Sequence, residues 1–332
     1  MYFQRKHLNN EQFKHLRQNY ESASQQNVNE SLHARDDAYK YGLPNMSNDC
    51  YRNAVFQALF SLNDMNQMAL DILSSPLSKI ITASRFSVTY YFFKMIQHNN
   101  QPNSIIGSKK SIIEKYLISL WYVLWDTEQN HRMALTNIGF SQNSQQDAHE
   151  FLMLFLEFLN RDTRHLYSVE ANSRELENDP LKNKFTLGLN SEHICLNGDH
   201  VINVSDDFSC GLIIPLEEKI MEVSLNDCIY DLFEKRIIND YHCSTCNSIV
   251  RVKEKLTITS LPEILVLNLN RYGANSERIE TFVSIPESLN LGQYSDNASY
   301  QQYELRSIIC HQGPDTKSGH FISKICFVLT IL

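Results

Sequence analysis

The hydrophobic pattern of this chain changes period part-way along. Tyr51, Val55, Leu59 and Leu62 fall at helical spacing, with Phe56 and Phe60 alongside. Residues 112–125 form a second apolar stretch of helical length. A third helix is expected over 145–160, with Ser144 as its cap and Ala148, Phe151, Leu152, Phe155, Phe158 and Leu159 facing inward. Beyond residue 185 the repeat becomes two, and strands are expected at 201–204, 212–216, 251–259, 264–272, 303–311 and 320–329. Helices first and strands second make an α+β fold, not an alternating βαβ one.

The 332 residues are 42% hydrophobic, enough for a large core, and ten Gly and eight Pro exclude collagen-like and Gly/Pro-rich disordered classes. A net charge of −8 argues against nucleic acid as a partner, since phosphate contacts need clustered Lys and Arg. MYFQRKHLNN has no apolar run after its basic residues, so no secretory signal is expected. The longest apolar stretch, 325–332, is too short to span a bilayer, which takes about 20 residues. No membrane association is expected, and the reading is cytoplasmic, nuclear or both. The cysteines at 50, 195, 210, 228, 243, 246, 310 and 326 should then be mostly reduced, so their pattern points to catalysis or metal. Residues 1–40, rich in Gln, Asn and charge, read as a mobile N-terminal extension.

Four places could carry chemistry. Cys50 stands between a Gly/Pro/Asn/Ser loop and a helix, with Asn48 or Asp49 as cap; a helix N-terminus favours a thiolate nucleophile. The plain alternative is a buried free thiol. His320 follows Gly319 at the start of a strand, where it could serve as the base that a Cys nucleophile needs; otherwise it is one surface His among twelve. Gln145, Gln146 and Asp147 put polar groups on the first turn of an apolar helix, either to cap it or to face a cleft beside Cys50. Cys243-Ser-Thr-Cys246 is half of a tetrahedral zinc site. Cys195 is the upstream candidate for the other half. Its own knuckle partner would fall at position 198, which is Gly, so His200 or His193 is left to complete a Cys3His set.

Taken in order, these segments resemble the ubiquitin-specific protease family of deubiquitinating cysteine proteases. Residues 41–57, YGLPNMSNDCYRNAVFQ, resemble its Cys box, and 146–152, QDAHEFL, match a characteristic segment. Ser224-Leu225-Asn-Asp-Cys228, Tyr241-x-Cys243-x-x-Cys246, the stretch 261–272 and the His box at 303–321 resemble further family motifs. The resemblance covers residues 41–323. It implies a papain-like α+β catalytic domain over 41–332, with a helical thumb over 41–170, β-fingers over 185–260 and a palm mainly over 261–332. It implies that Cys50 attacks the carbonyl at ubiquitin's C-terminus, that His320 moves the proton, and that Asn45 donates to the oxyanion. Asp147 and Gln146 would meet the ubiquitin tail. Ubiquitin and ubiquitinated proteins are the implied partners. No catalytic cofactor is implied; Cys195, Cys243 and Cys246 are the candidate ligands of a structural zinc.

Three positions depart from the family pattern. Ser47 replaces a Gly. Asp49 replaces a Thr, and its carboxylate is expected to oppose thiolate formation at Cys50. The stretch 321–332 contains no Asp or Asn to orient His320, so the third triad residue and the closing palm strands are expected to be missing. The alternative function is accordingly a weakly active or inactive ubiquitin-binding scaffold of the same family.

Overall fold

The computed structural model describes residues 1–5, 42–45, 48–82, 87–100, 106–126, 135, 140, 144–170, 181–217, 221–234, 236–272, 278–295, 301–313 and 318–326. Its first element is a strand, β1 (Tyr2–Arg5). Helices follow: α1 (Cys50–Phe60), α2 (Asn63–Ser74), α3 (Leu77–Ile80), α4 (Ser87–Asn99), α5 (Ile106–Trp125), α6 (Ala148–Glu170) and α7 (Lys182–Phe185). The second half carries β2 (Leu187–Cys195), β3 (Val201–Ser209), β4 (Leu212–Pro215), β5 (Glu222–Ser224), α8 (Leu225–Glu234), β6 (Ile237–Cys243) and β7 (Ser248–Ser260). It closes with β8 (Ile264–Asn270), β9 (Phe282–Ser284), β10 (Ser288–Asn290), β11 (Gln302–Gln312) and β12 (His320–Ile325). The α+β class expected from the change of period is the one observed.

The helical half packs around aromatic rings because α1, α4 and α6 each turn a Phe stripe inward. Phe155 on α6 meets Phe92 on α4 at 4.9 Å and Phe56 on α1 at 5.0 Å between ring centroids, both edge-on, the arrangement that the ring quadrupoles favour. Two helix boundaries differ from expectation. α6 starts at Ala148, not Gln145, because the Asp147 carboxylate caps it: its Oδ1 accepts the backbone N–H of His149 at 2.7 Å and of Glu150 at 2.9 Å. α1 begins after Asp49, whose side chain makes no cap bond. Asn45 reaches in instead, its Oδ1 accepting the Asp49 backbone N–H at 3.0 Å.

The strand half is built on a six-stranded sheet. Its path runs β10-β11-β1-β8-β4, with β12 also paired to β11. β1 is antiparallel to both neighbours, placing Phe3 opposite Leu305 and Leu265, and Phe3 is fully buried. The expectation of a mobile extension therefore fails for residues 2–5. Tyr2 and Phe3 alternate between the helical core and the core under α8, and burial of their rings, together with pairing on both strand edges, offsets the ordering of four residues. The remainder of that extension, 6–40, lies outside the described residues.

A second sheet, β3-β2-β7-β6, is antiparallel throughout. Its far end carries a small core of Cys195, Cys243, Val250 and Val252. No described helix is long and apolar enough to cross a membrane.

Candidate active site and thiol–imidazole cluster

Cys50 is the first residue of α1 and is buried. The preceding loop is fastened to the same helix, because Asn53 Nδ2 donates to the Pro44 carbonyl at 2.9 Å. With its Oδ1 committed to the Asp49 amide, the Asn45 side chain is oriented and its position is exposed. Among the described residues its Nδ2 donates no hydrogen bond.

Asp49, expected to oppose thiolate formation at Cys50, is paired with a cation. It turns inward to Arg52, Oδ2 to Nη2 at 3.2 Å, and both side chains are almost wholly buried. The guanidinium also lies 3.4 Å from the centroid of the Trp121 ring. Burial brings Arg52 down to about 10, with Asp49 pulling the other way. The carboxylate is thus offset by a cation one turn along the helix.

The hydrogen bond made by the Cys50 sulfur goes to Gln145: Nε2 lies 3.1 Å from Sγ. The same Nε2 donates to the Gly319 carbonyl at 3.0 Å, and Gln145 Oε1 lies 3.3 Å from His311 Nε2. One side chain therefore joins the start of α1 to the β11–β12 pair. In that pair His311 stands opposite Phe321, with ring centroids 4.5 Å apart. Ile309 and Phe321 pack on the helical core, so this face of the pair looks toward α1.

His320, the expected base, stands opposite Gln312 at the start of β12. It is exposed and makes no hydrogen bond with Cys50. Asp147 is exposed; one oxygen caps α6, and the other accepts no hydrogen bond among the described residues. Gln146 Nε2 donates to Ser144 Oγ at 2.8 Å. Gln145 was one of the three polar residues expected to cap the helix or face a cleft beside Cys50, and it is the one bonded to the thiol; His311 was given no role from sequence. Gln145 is adjacent to Gln146 in the same motif, and which of the two faces the thiol depends on where α6 begins. The place of His311 depends on strand register.

At the far end of the second sheet, Cys195, His200, Cys243 and Cys246 converge. Their ligand atoms all lie within 4.8 Å of one another. His200 Nε2 is 3.2 Å from Cys243 Sγ, and Cys195 Sγ is 3.7 Å from Cys246 Sγ. Of the two histidines weighed as the fourth donor, His200 occupies that place. His193 lies instead 3.7 Å from Glu254 and edge-on to Tyr241. Two tight turns make the cluster, and each has a residue in left-handed backbone conformation, Asp199 at φ 48° and Asn247 at φ 48°. The Cys246 backbone N–H holds the Cys243 thiol down to about 6, helped by His200 and opposed by burial. Its hydrogen bond with Cys195 pushes the Cys246 thiol up to about 11, with burial adding to it. Three thiols this close cannot all ionise without a cation, and three sulfurs with one imidazole are a donor set that suits zinc. The cluster could hold a metal ion.

The sequence profile of the ubiquitin carboxyl-terminal hydrolase family matches residues 41–328. The chain belongs to that family. Its ubiquitin-specific protease branch is the one that the motifs resemble. Among curated relatives, ubiquitin carboxyl-terminal hydrolase 25 of Arabidopsis thaliana is 24% identical over 311 residues, covering 86% of this chain and 42% of its own. Ubiquitin carboxyl-terminal hydrolase 17-like protein D of Mus musculus is 27% identical over 291 residues, covering 86% and 48%. The chain thus spans less than half the length of these relatives. Among solved structures, the SAGA Ubp8/Sgf11/Sus1/Sgf73 DUB module bound to ubiquitin aldehyde superposes with a TM-score of 0.66. It is 20% identical, over 96% of this chain and 68% of that one, and shares the fold.

Proposed function

We propose that this chain is a thiol-dependent hydrolase that removes ubiquitin from lysine side chains or from ubiquitin chains. The observation that carries it is the seat of Cys50, at a helix N-terminus with an oriented Asn45 amide on one side and the β11–β12 pair on the other. In this reading Cys50 Sγ attacks the carbonyl carbon of ubiquitin's last residue while its proton passes to His320. The charge that develops on oxygen is met by Asn45, a contact worth about 3–4 kcal/mol in comparable sites. His320 returns the proton to the lysine amine as the C–N bond breaks, and water then cleaves the thioester. Because His320 is exposed and unbonded to the thiol, proton transfer requires its ring to move toward Cys50. Asp147, with one carboxylate oxygen unused by the helix cap, suits the basic ubiquitin tail. No catalytic cofactor enters the reading. Cys195, His200, Cys243 and Cys246 would hold a structural zinc, whose chemistry there is to cross-link two turns. Free thiols in both places suit the cytoplasm or nucleus.

A second reading, a ubiquitin-binding scaffold with little turnover, is favoured by one observation, that His320 is exposed and no hydrogen bond joins it to Cys50. One experiment addresses both. The protein and its Cys50→Ala variant are incubated with ubiquitin bearing a C-terminal thiol-reactive group, and intact mass is recorded. One ubiquitin added to the unaltered chain alone supports the hydrolase site, and no adduct on either removes it. Turnover of a ubiquitin–lysine isopeptide at about 0.1–10 per second, within the ordinary enzyme range, would then exclude the scaffold.

A further inference from the structure

We propose that Gln145 is a further catalytic residue, donating a hydrogen bond to the Cys50 sulfur in its reactive, ionised form, and that His311 positions it. This rests on Cys50 being the reacting thiol. The argument starts from the amide itself. A glutamine amide has two N–H donors and one carbonyl acceptor, and here all three directions are set. The Gly319 carbonyl can only accept, so the atom facing it is Nε2, and one N–H is used there at 3.0 Å. The second N–H points at Cys50 Sγ, 3.1 Å away, a close approach for nitrogen to sulfur. Oε1 then faces His311 Nε2 at 3.3 Å, which puts the imidazole proton on Nε2 as donor. Donor follows donor toward the sulfur, from His311 through Gln145 to Cys50, and each bond polarises the next.

An N–H aimed at sulfur favours thiolate over thiol, since a hydrogen bond to a charged acceptor is about twice as strong as one between neutral groups. With both N–H groups engaged, Gln145 has none left for the substrate oxyanion, so its role is distinct from that of Asn45. The backbone shows the same purpose. Gly319 has φ +145°, and a Cβ there would lie 2.6 Å from His311 Nε2. Only a residue without a side chain lets the imidazole stand where it reaches Oε1.

The test uses the whole chain without ubiquitin, so its result is independent of whether the chain turns over a ubiquitin substrate. Carbamidomethylation of Cys50 by iodoacetamide is followed at pH 7 by peptide mass spectrometry, which separates it from the other cysteines. Gln145→Met and Gln145→Glu keep the bulk over the thiol and remove the donors; both should slow alkylation of Cys50 by about tenfold or more. His311→Ala should slow it less, by about threefold, and His311→Gln, which restores an N–H facing Oε1, should return it to within about twofold of the unaltered rate. Unchanged or faster alkylation in both Gln145 variants overturns the proposal, because Gln145 would then be only a cover. Equal loss in His311→Ala and His311→Gln overturns the positioning role. If either variant gives an altered circular dichroism spectrum, Gln145→Asn, too short to span the gap, replaces it and should show the same loss.

Discussion

Beside Cys50, Asp49 and Arg52 form an ion pair shut away from water, and their energetics are those of the pair and not of either charge. Removing one partner leaves an uncompensated charge in the interior, at a cost of about 3–5 kcal/mol. Arg52→Met should therefore lower the unfolding free energy by about that much in denaturant titration. Asp49→Thr combined with Arg52→Met should recover most of the loss, since apolar replacement of a whole buried pair is often neutral. Gly319 is equally intolerant for a backbone reason: at φ +145° an added methyl would also meet the Gln312 carbonyl at 2.5 Å. Gly319→Ala should reduce Cys50 alkylation about tenfold, in parallel with the Gln145 variants. His149 offers a pH signature. Burial lowers its affinity for a proton, reinforced by the nearby amino terminus of the chain and opposed by Asp147. A base held below its unfolded value binds fewer protons when folded, so its contribution to stability is present above the unfolded value near 6.5 and is lost as pH falls below it. The stability difference between pH 7.5 and pH 5.5 should accordingly shrink in His149→Gln.

Elements were legible to the extent that their cause is local. α1, α5 and α6 and β7, β8 and β11 follow from apolar spacing within one segment, and the turn around Cys243–Cys246 follows from its two cysteines. β1 was not legible, because Tyr2–Arg5 is too short to show a period and its partners lie in β8 and β11. The register that puts His311 on the face toward α1, and His320 at the exposed start of β12, is likewise a property of paired strands and not of one segment. Asn45 as a cap was hidden because it acts from four residues upstream of the amide it bonds. Two predictions belong to this scale. Phe3→Ala empties a site that both neighbouring strands help to fill and should cost about 3–5 kcal/mol. The cluster at the end of β2 and β6 should yield close to one zinc per chain by atomic absorption, and none in a Cys243→Ser, Cys246→Ser double variant. That variant should still alkylate at Cys50, because the cluster stands on the second sheet and Cys50 on α1, beside the β11–β12 pair of the first.

At the scale of the whole molecule, the two cores meet across β1. Tyr2 belongs to the helical core and Phe3 to the core under α8, so neighbouring side chains of one short strand tie the halves together. Loosening this strand should therefore be felt at Cys50 as well as in the sheet. In Phe3→Ala, hydrogen exchange is expected to rise in α1 and β11 together, not in β11 alone. The position of β1 also orders events in time. Tyr2 pairs with Val266 and Ser307, so β1 can be enclosed only after β11, roughly 300 residues downstream, has been made. At about 5–20 residues per second, that is a wait of roughly 15–60 seconds with a Tyr-Phe pair uncovered. Contacts this distant in sequence also slow closure of the sheet once synthesis ends. Until β11 and β12 have been made, β1 lacks its partner on that side and the Cys50 thiol lacks one wall of its cleft.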